Sequence, residues 1–534
     1  MWCLKKDARN VANWIIHRWW LVCGARIWFD RAMNDGKQRL RMTALTRRWV
    51  LGGLLAGVAD CALASPPTVS PRPVRRPDPS DPEATTEALI AKAGLGGKLG
   101  FVVADAATGE VLGARNPALG LPPASTTKVI TTAYALDRLG PEYRFATRLL
   151  ADGAIENGIL QGDLILVGGG DPTLDTNGLA DLAKQLKASG LRGIKGRFLT
   201  YGAGLPQVNA IDPEQPAHVS YSPAVSGLNL NFNRVYFEWT RAGAGYGVTL
   251  DARSDRYRPE VTAAHMVIED RGAPIYTYDR IDGKDQWSVA RKALGKGGSR
   301  WLPVRDPQGY CADVFATFAR SHGIVLPLAQ ASSAPPQGTI LAQLESVPLQ
   351  QMLRGMLKHS TNLTAECVGM TATALASGRP SGLKASGSEM QRWLDGQVGA
   401  LDARFVDHSG LGDGSRISAQ EMVRALVQLG SKPQLAPMMK QMWMRDAKGR
   451  PDKTHAAIVR AKTGTLNFVS ALAGYVTVPD GRDLAFTILT AEPERRAAIR
   501  PQDRERPRGG RAWAGRSRML QMRLIEHWVN THKP

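Results

Sequence analysis

The sequence predicts an α/β fold with a mostly-β middle. Three observations carry this. Strand patterns open the ordered part of the chain, and three more strand patterns close it. Helical patterns lie just inside both ends. Between them, residues 151–326 mix short strands with many turn residues. The length of 534 residues asks for two or more folded units.

The elements follow in order. "LGFVVADAATGEVLGARN" reads as two strands about a turn at Thr108-Gly109. "PPASTTKVITTAYAL" starts a helix near Ala124–Ser125, because Pro122 and Pro123 cannot continue one. "GDLILVGGGDPTL" is a strand running into a glycine turn, and "VSGLNLNFNRVYFEW" alternates as a half-buried strand does. "GYCADVFATFARSHGIVL" is a helix ending at Gly323. "PLQQMLRGMLKHSTNLTAECVGMTATAL" is helical, and Ser418 with Glu421 forms a capping box before "MVRALVQL". "AAIVRAKTGTLNFVSALAGYVTVPDGRDLAFTILTA" reads as three strands, the last two joined at Pro479-Asp480-Gly481. The tail over Arg511–Val529 is an amphipathic helix with Trp513, Leu520, Leu524, Ile525 and Trp528 near one face.

The N-terminus reads as a processing segment. From Met42, a basic start (Arg47, Arg48) precedes a short apolar run and an A-x-A-like site at Ala62-Leu63-Ala64. The run is shorter than the ~20 residues of a membrane span. Residues 42–64 are therefore expected to be a signal peptide, by either of two export routes, and residues 1–41 an over-extended start or a cytoplasmic extension. Seven prolines in Ser65–Glu83 make an extended linker. The rest of the chain divides into residues 84–150, the mostly-β stretch 151–326, which the resemblance given below implies is inserted, and residues 327–534. After cleavage, two cysteines remain, Cys311 and Cys367, either joined or buried as free thiols.

The formal charge of +20 is concentrated at the ends. Met1–Val50 holds eleven Lys/Arg against three Asp, and Arg495–Arg523 ten Arg against Asp503 and Glu505. No zinc-finger spacing or aromatic RNA-binding signature accompanies it, so no nucleic-acid partner is expected. The segment around Arg500 reads as a solvated, disordered basic loop, with contact to a membrane or an anionic polymer as the alternative.

Three short pieces carry the chemistry. Ser125 and Lys128, three apart at a helix start, share a face. Alone they fit a helix cap and a solvated charge as well as a nucleophile and its base. Ser360-Thr361-Asn362 lies between helical segments, and Lys462-Thr463-Gly464-Thr465 ends a strand. S-x-x-K, S-D-N and K-T-G in this order form the active-site set of class A β-lactamases and penicillin-binding proteins, and only the middle residue of the second piece departs. The expected roles are Ser125 as nucleophile, Lys128 as base, Ser360 as proton relay, and Asn362 as the group holding the Lys128 amine and a substrate amide. Lys462, Thr463 and Thr465 would bind a substrate carboxylate, and Gly464 would let the strand approach the ligand. The amides of Ser125 and Thr465 would form an oxyanion hole.

On these residues the sequence resembles the low-molecular-mass, class C penicillin-binding proteins, the D-alanyl-D-alanine carboxypeptidase/endopeptidase family. The resemblance spans about Gly100 to Leu489 and includes "YSPAVSGLNLNFNRV", "MLKHSTNLTAE", "VDHSGLGDGSRIS" and "AKTGTLNFVSALAGYV". It implies a transpeptidase/β-lactamase-like domain, an antiparallel sheet flanked by helices, with a large, mostly-β insertion between the S-x-x-K and S-x-N motifs. It also implies hydrolysis of peptidoglycan stem peptides through an acyl-enzyme, and β-lactam antibiotics as covalent inhibitors. Export to the periplasm or cell envelope follows, with peripheral contact to membrane or wall polymer as an alternative. His408 stands where the family usually carries glycine, and is read as structural.

Other signals point elsewhere. "VGGGDP" lacks the Lys of a phosphate loop. The nine histidines show no H-E-x-x-H, so no metal or other cofactor is expected. Three rival readings stay open: a β-lactamase, an esterase or amidase with the same Ser–Lys chemistry, and a non-enzymatic wall-binding module.

Overall fold

The computed structural model describes residues 82–399, 401–430, 435–446 and 450–532. The expected extension and signal peptide, residues 1–64, and nearly all of the proline-rich linker lie outside the described residues.

The main domain starts with helix α1, Pro82–Ala93, which begins two residues inside the expected linker. Strands β1, Lys98–Asp105, and β2, Val111–Arg115, follow as a hairpin. A 3₁₀ turn, Ala124–Thr126, leads directly into α2, Thr127–Leu139.

The chain then enters the inserted region. It contains β3, Ala146–Asp152, β4, Asp163–Val167, α3, Thr176–Ala188, and β5, Phe198–Tyr201. Next come β6, Arg234–Ala242, β7, Gly245–Asp251, β8, Ala264–Glu269, β9, Tyr276–Ile281, β10, Lys284–Ala290, and β11, Gly297–Pro303. Helix α4, Pro307–Ser321, and β12, Thr339–Glu345, complete it. β3, β4, β5, β12 and the short Gln330–Ala331 strand form one sheet, order (330–331)-β5-β4-β3-β12. Two three-stranded sheets, β7-β6-β11 and β8-β10-β9, lie beyond it. Because β3 and β12 pair with each other, the inserted region starts before residue 151 and ends after residue 326, outside both expected boundaries.

The main domain resumes with α5, Leu349–His359, α6, Asn362–Ser377, α7, Leu383–Val398, and α8, Ala419–Gly430. Then come β13, Lys440–Met442, β14, Ile458–Leu466, β15, Val469–Thr477, β16, Asp483–Ala491, and α9, Gly510–Thr531. Its sheet has the order β13-β14-β15-β16-β1-β2, antiparallel throughout.

Alternation along these strands fills two cores. Val102, Ala104, Ala471, Ala473 and Leu489 face α2, α7 and α8. Phe101, Val103, Leu472, Val476, Phe486 and Ile488 face Leu520, Leu524, Ile525 and Trp528 of α9. Each of the Val, Leu, Ile and Phe side chains among them contributes about 1.5–3 kcal/mol of burial. The α9 face is the one the sequence periodicity picks out.

Local chemistry sets the helix ends. Asp306 caps α4, accepting from the Gly309 amide at 3.1 Å, and Gly323 follows its end at φ +80°. The α8 capping box is closed both ways: the Ser418 amide donates to Glu421 (2.7 Å), and the Glu421 amide to the Ser418 hydroxyl (3.2 Å).

Two expectations fail here. "VSGLNLNFNRVYFEW" is a strand only from Arg234 onward. Asn231, Phe232 and Asn233 are left-handed, with φ from +51° to +58°. The alternation instead spaces asparagines that tie a buried loop: the Asn229, Asn231 and Asn233 side-chain oxygens accept from the amides of Ser226, Thr176 and Leu230. The arginine-rich segment after β16 is not a solvated, disordered loop. It forms a short helix, Pro493–Ala497, and a 3₁₀ turn, Pro501–Asp503, anchored on both sides. Cys311 and Cys367 are buried free thiols.

Candidate active site

From Leu121 to Ala135 every residue is buried except Ser125. Two prolines and Ala124, held at φ +47°, turn the chain so that Ser125 points outward from the first turn before α2. One helical turn on, Lys128 is fully buried, and its Nζ has three partners: Ser125 Oγ at 3.1 Å, Asn362 Oδ1 at 2.8 Å and the Ser409 carbonyl at 2.7 Å. Only the Ser125 hydroxyl among them can donate a proton. A neutral amine would therefore donate to Asn362 and Ser409 and turn its lone pair on Ser125. Burial pulls Lys128 below the ordinary lysine range, opposed by the charges of Glu366 and Asp407.

The second motif sits at a helix junction. Ser360 ends α5 in the left-handed conformation, φ +60°, and Asn362 starts α6. Asn362 Nδ2 donates to the Tyr221 carbonyl at 2.9 Å. The middle residue faces away: Thr361 Oγ1 donates to Thr364 Oγ1 at 2.9 Å.

The third motif lies on β14. Lys462 Nζ donates to Ser360 Oγ at 2.9 Å. Burial lowers the Lys462 ammonium well below the usual range, and Lys128 adds to the shift. A Cβ on Gly464 would stand 2.7 Å from the Pro123 carbonyl and 3.0 Å from the Ser125 amide. The glycine therefore lets the strand come close to the Ser125 turn. Thr465 lines the cleft. Thr463, two residues earlier on the same strand, is exposed like Thr465.

Four contributors were not assigned from sequence. Glu366, fully buried on α6, accepts the His408 and Ser409 amides on its two oxygens at 3.0 and 2.9 Å. Asp407 accepts the Gly410 and Gly412 amides at 2.7 and 2.6 Å. Burial pushes both carboxyls above their ordinary range. Together they fix the 407–412 loop, whose Ser409 carbonyl holds Lys128. Tyr221, with Gln215, brings a wall of the cleft from the inserted region. One signal was visible: Asn362 and Glu366 are four apart, on one face of an otherwise apolar helix. His408 is neutral and internal. Burial lowers its imidazole to about 3, Nε2 sits 2.7 Å from Ser386 Oγ, and Gly369 leaves it room, since a Cβ there would lie 2.2 Å from the ring.

The cleft over Ser125 encloses about 910 Å³. Its outer wall is the arginine-rich segment. Arg496 pairs with Asp413 at 2.8 Å, Arg504 with Glu214 at 2.8 Å, and Glu505 with His218 at 2.7 Å and Arg300 at 3.3 Å.

Fold and site define a serine hydrolase in which a buried lysine amine lies against the serine hydroxyl, built into a six-stranded sheet with flanking helices. The chain belongs to the D-Ala-D-Ala carboxypeptidase 3 (S13) family, whose pattern matches residues 83–505. It is 28% identical over 440 residues to a D-alanyl-D-alanine carboxypeptidase of Actinomadura sp. (strain R39), covering 76% of this chain and 79% of that protein. It is 25% identical to the D-alanyl-D-alanine carboxypeptidase DacB of Haemophilus influenzae, over 74% and 86% of the two chains. The crystal structure of penicillin binding protein 4 (dacB) from Haemophilus influenzae shares the fold, with a TM-score of 0.65 and 23% identity over 76% of this chain and 93% of that one.

Proposed function

We propose that this protein is a serine-type D-Ala-D-Ala carboxypeptidase acting on peptidoglycan stem peptides, and that β-lactams acylate it at Ser125. One observation carries the reading: Lys128 Nζ is buried among three partners of which only Ser125 can donate. Ser125 Oγ attacks the carbonyl between the two terminal D-alanines while its proton passes to Lys128. The Ser125 and Thr465 amides receive the oxyanion, worth about 3 kcal/mol per donor. The C–N bond breaks, and the departing amine takes a proton through Ser360, which Lys462 orients. Water then cleaves the Ser125 ester and restores the hydroxyl. Lys462 and Thr465 hold the terminal carboxylate. A β-lactam complex of the Haemophilus influenzae relative supports the inhibitor assignment. D,D-endopeptidase action on cross-links is the second reading. It is favoured by a cleft whose lining runs from Ser125 past Asn467 to α9.

The sequence from Met42 to Ala64 supports export to the periplasm or cell envelope. Intact mass of the secreted protein should show a start at Ser65.

The test is Ser125→Ala. The wild type should form a stable adduct with a fluorescent penicillin and release D-alanine from a D-Ala-D-Ala peptide, and the variant should do neither. Labelling retained by the variant would refute the assignment.

A further inference from the structure

We propose that residues 498–509 form a strap across the active-site cleft that selects substrates by their ends: closed, it admits a peptide with a free C-terminus, and released, it admits a cross-linked one. This rests on the assignment of Ser125 given above.

The strap runs from the helix Pro493–Ala497 to the start of α9. Its feet are fixed to the main domain. Arg496 Nε donates to Asp413 at 2.8 Å, and the Arg495 guanidinium lies over the Phe468 ring at 4.1 Å. Asn467 Nδ2 donates to the Arg504 carbonyl at 2.6 Å.

Its middle is fixed to the inserted region. Arg504 Nη1 donates to both the carbonyl and the carboxylate of Glu214, 290 residues earlier in the chain. Glu505 fills a half-buried socket. Its Oε2 lies 2.7 Å from His218 Nε2, and its Oε1 accepts from Arg300 at 3.3 Å. The Tyr276 ring lies 5.0 Å from the His218 ring and 4.9 Å from the Arg300 guanidinium, closing the back of the socket. The His218 bond, with Arg300, holds the Glu505 carboxyl down to about 2, so it is ionised near neutral pH. Gln215 and Tyr221 line one wall of the cleft, and Glu505 and Arg506 line the other. These contacts therefore join the two walls.

A joined wall acts on topology rather than on affinity. A peptide lying along the cleft from Ser125 past Asn467 to α9 passes between walls that are tied together. With a free C-terminus it can be drawn in end first. A peptide whose D-alanine carbonyl is bonded to the amine of a second peptide has no free end, and it enters only sideways, when the walls part. Rim ion pairs are individually weak and are screened by salt, so the tie can open. Several acting together keep the open state a minor one, and removing them enlarges it. Carboxypeptidase and endopeptidase action then belong to the closed and open states of one site.

The test uses the mature protein and two variants, Arg504→Gln/Glu505→Gln on the strap and Glu214→Gln/His218→Gln on the facing wall. Each is assayed on a soluble peptide ending in D-Ala-D-Ala and on a dimer in which a D-Ala carbonyl joins two such peptides. Both variants should raise kcat/KM on the dimer about tenfold, the scale of losing several rim pairs, and leave the free-ended peptide and the rate of penicillin acylation unchanged. High salt should raise the dimer rate of the wild type, and the variants should have lost that response. An equal change on both substrates, or no gain on the dimer in either variant, would overturn the strap. A wild type that cleaves neither substrate and forms no penicillin adduct would bring down the Ser125 assignment, and selection by the strap with it.

Discussion

Glu366 and Asp407 lie fully buried beneath Lys128, whereas Arg496, Arg504 and Glu505 hold the rim of the same cleft where water reaches them. On the floor, each carboxylate oxygen takes a backbone amide, so removing a carboxylate strands donors in a dry interior. At the rim, either partner of an ion pair can be rehydrated, and salt screens what remains. The comparison teaches that the floor sets the geometry and charge of the base, while the rim sets what approaches it. Similar charged groups do both jobs, and burial decides which.

The largest effect should come from the floor. Glu366→Ala should lower penicillin acylation at least about 100-fold and cost roughly 3–5 kcal/mol of stability, as loss of one member of a buried charged group does. Equilibrium denaturation beside acylation kinetics checks both, and a near-neutral result would break the comparison.

Gly410→Ala comes next. Gly410 has φ +74°, and its Cβ would stand 1.9 Å from the Ala124 carbonyl. Strain and overpacking together should cost about 2–5 kcal/mol, read as a fall in Tm.

The pH profile sharpens the electrostatics. Acylation needs neutral Lys128, so its rate should rise with pH along a limb below the ordinary lysine range. The charge of Glu366 raises the Lys128 pKa. Glu366→Gln should therefore move the limb to lower pH, and a shift to higher pH would contradict the arrangement.

The smallest effect belongs to the rim. Arg504→Ala removes the pair with Glu214, whose side chain is 69% exposed, and should change stability by less than about 1 kcal/mol. A larger loss would show that the rim is structural after all.

Much of the site was legible because each motif is local. Ser125 and Lys128 meet through helix geometry, and Lys462 and Gly464 share a strand face by alternation. The "VSGLNLNFN" stretch misled because two-residue alternation marks a strand face and a loop tied by asparagines alike. The arginine-rich segment misled because its composition is that of a solvated loop, while its partners Asp413, Glu214 and Asn467 are distant in sequence.

By itself, the sequence determined the elements, the three chemical motifs and their order, because helix periodicity, capping residues and turn residues act within a few positions. Only the tertiary structure decided that Glu366 and Asp407 hold the loop that meets Lys128, and that Tyr221 of the inserted region walls the cleft. Those facts depend on which surfaces exclude water together, and residues far apart in the chain settle that jointly.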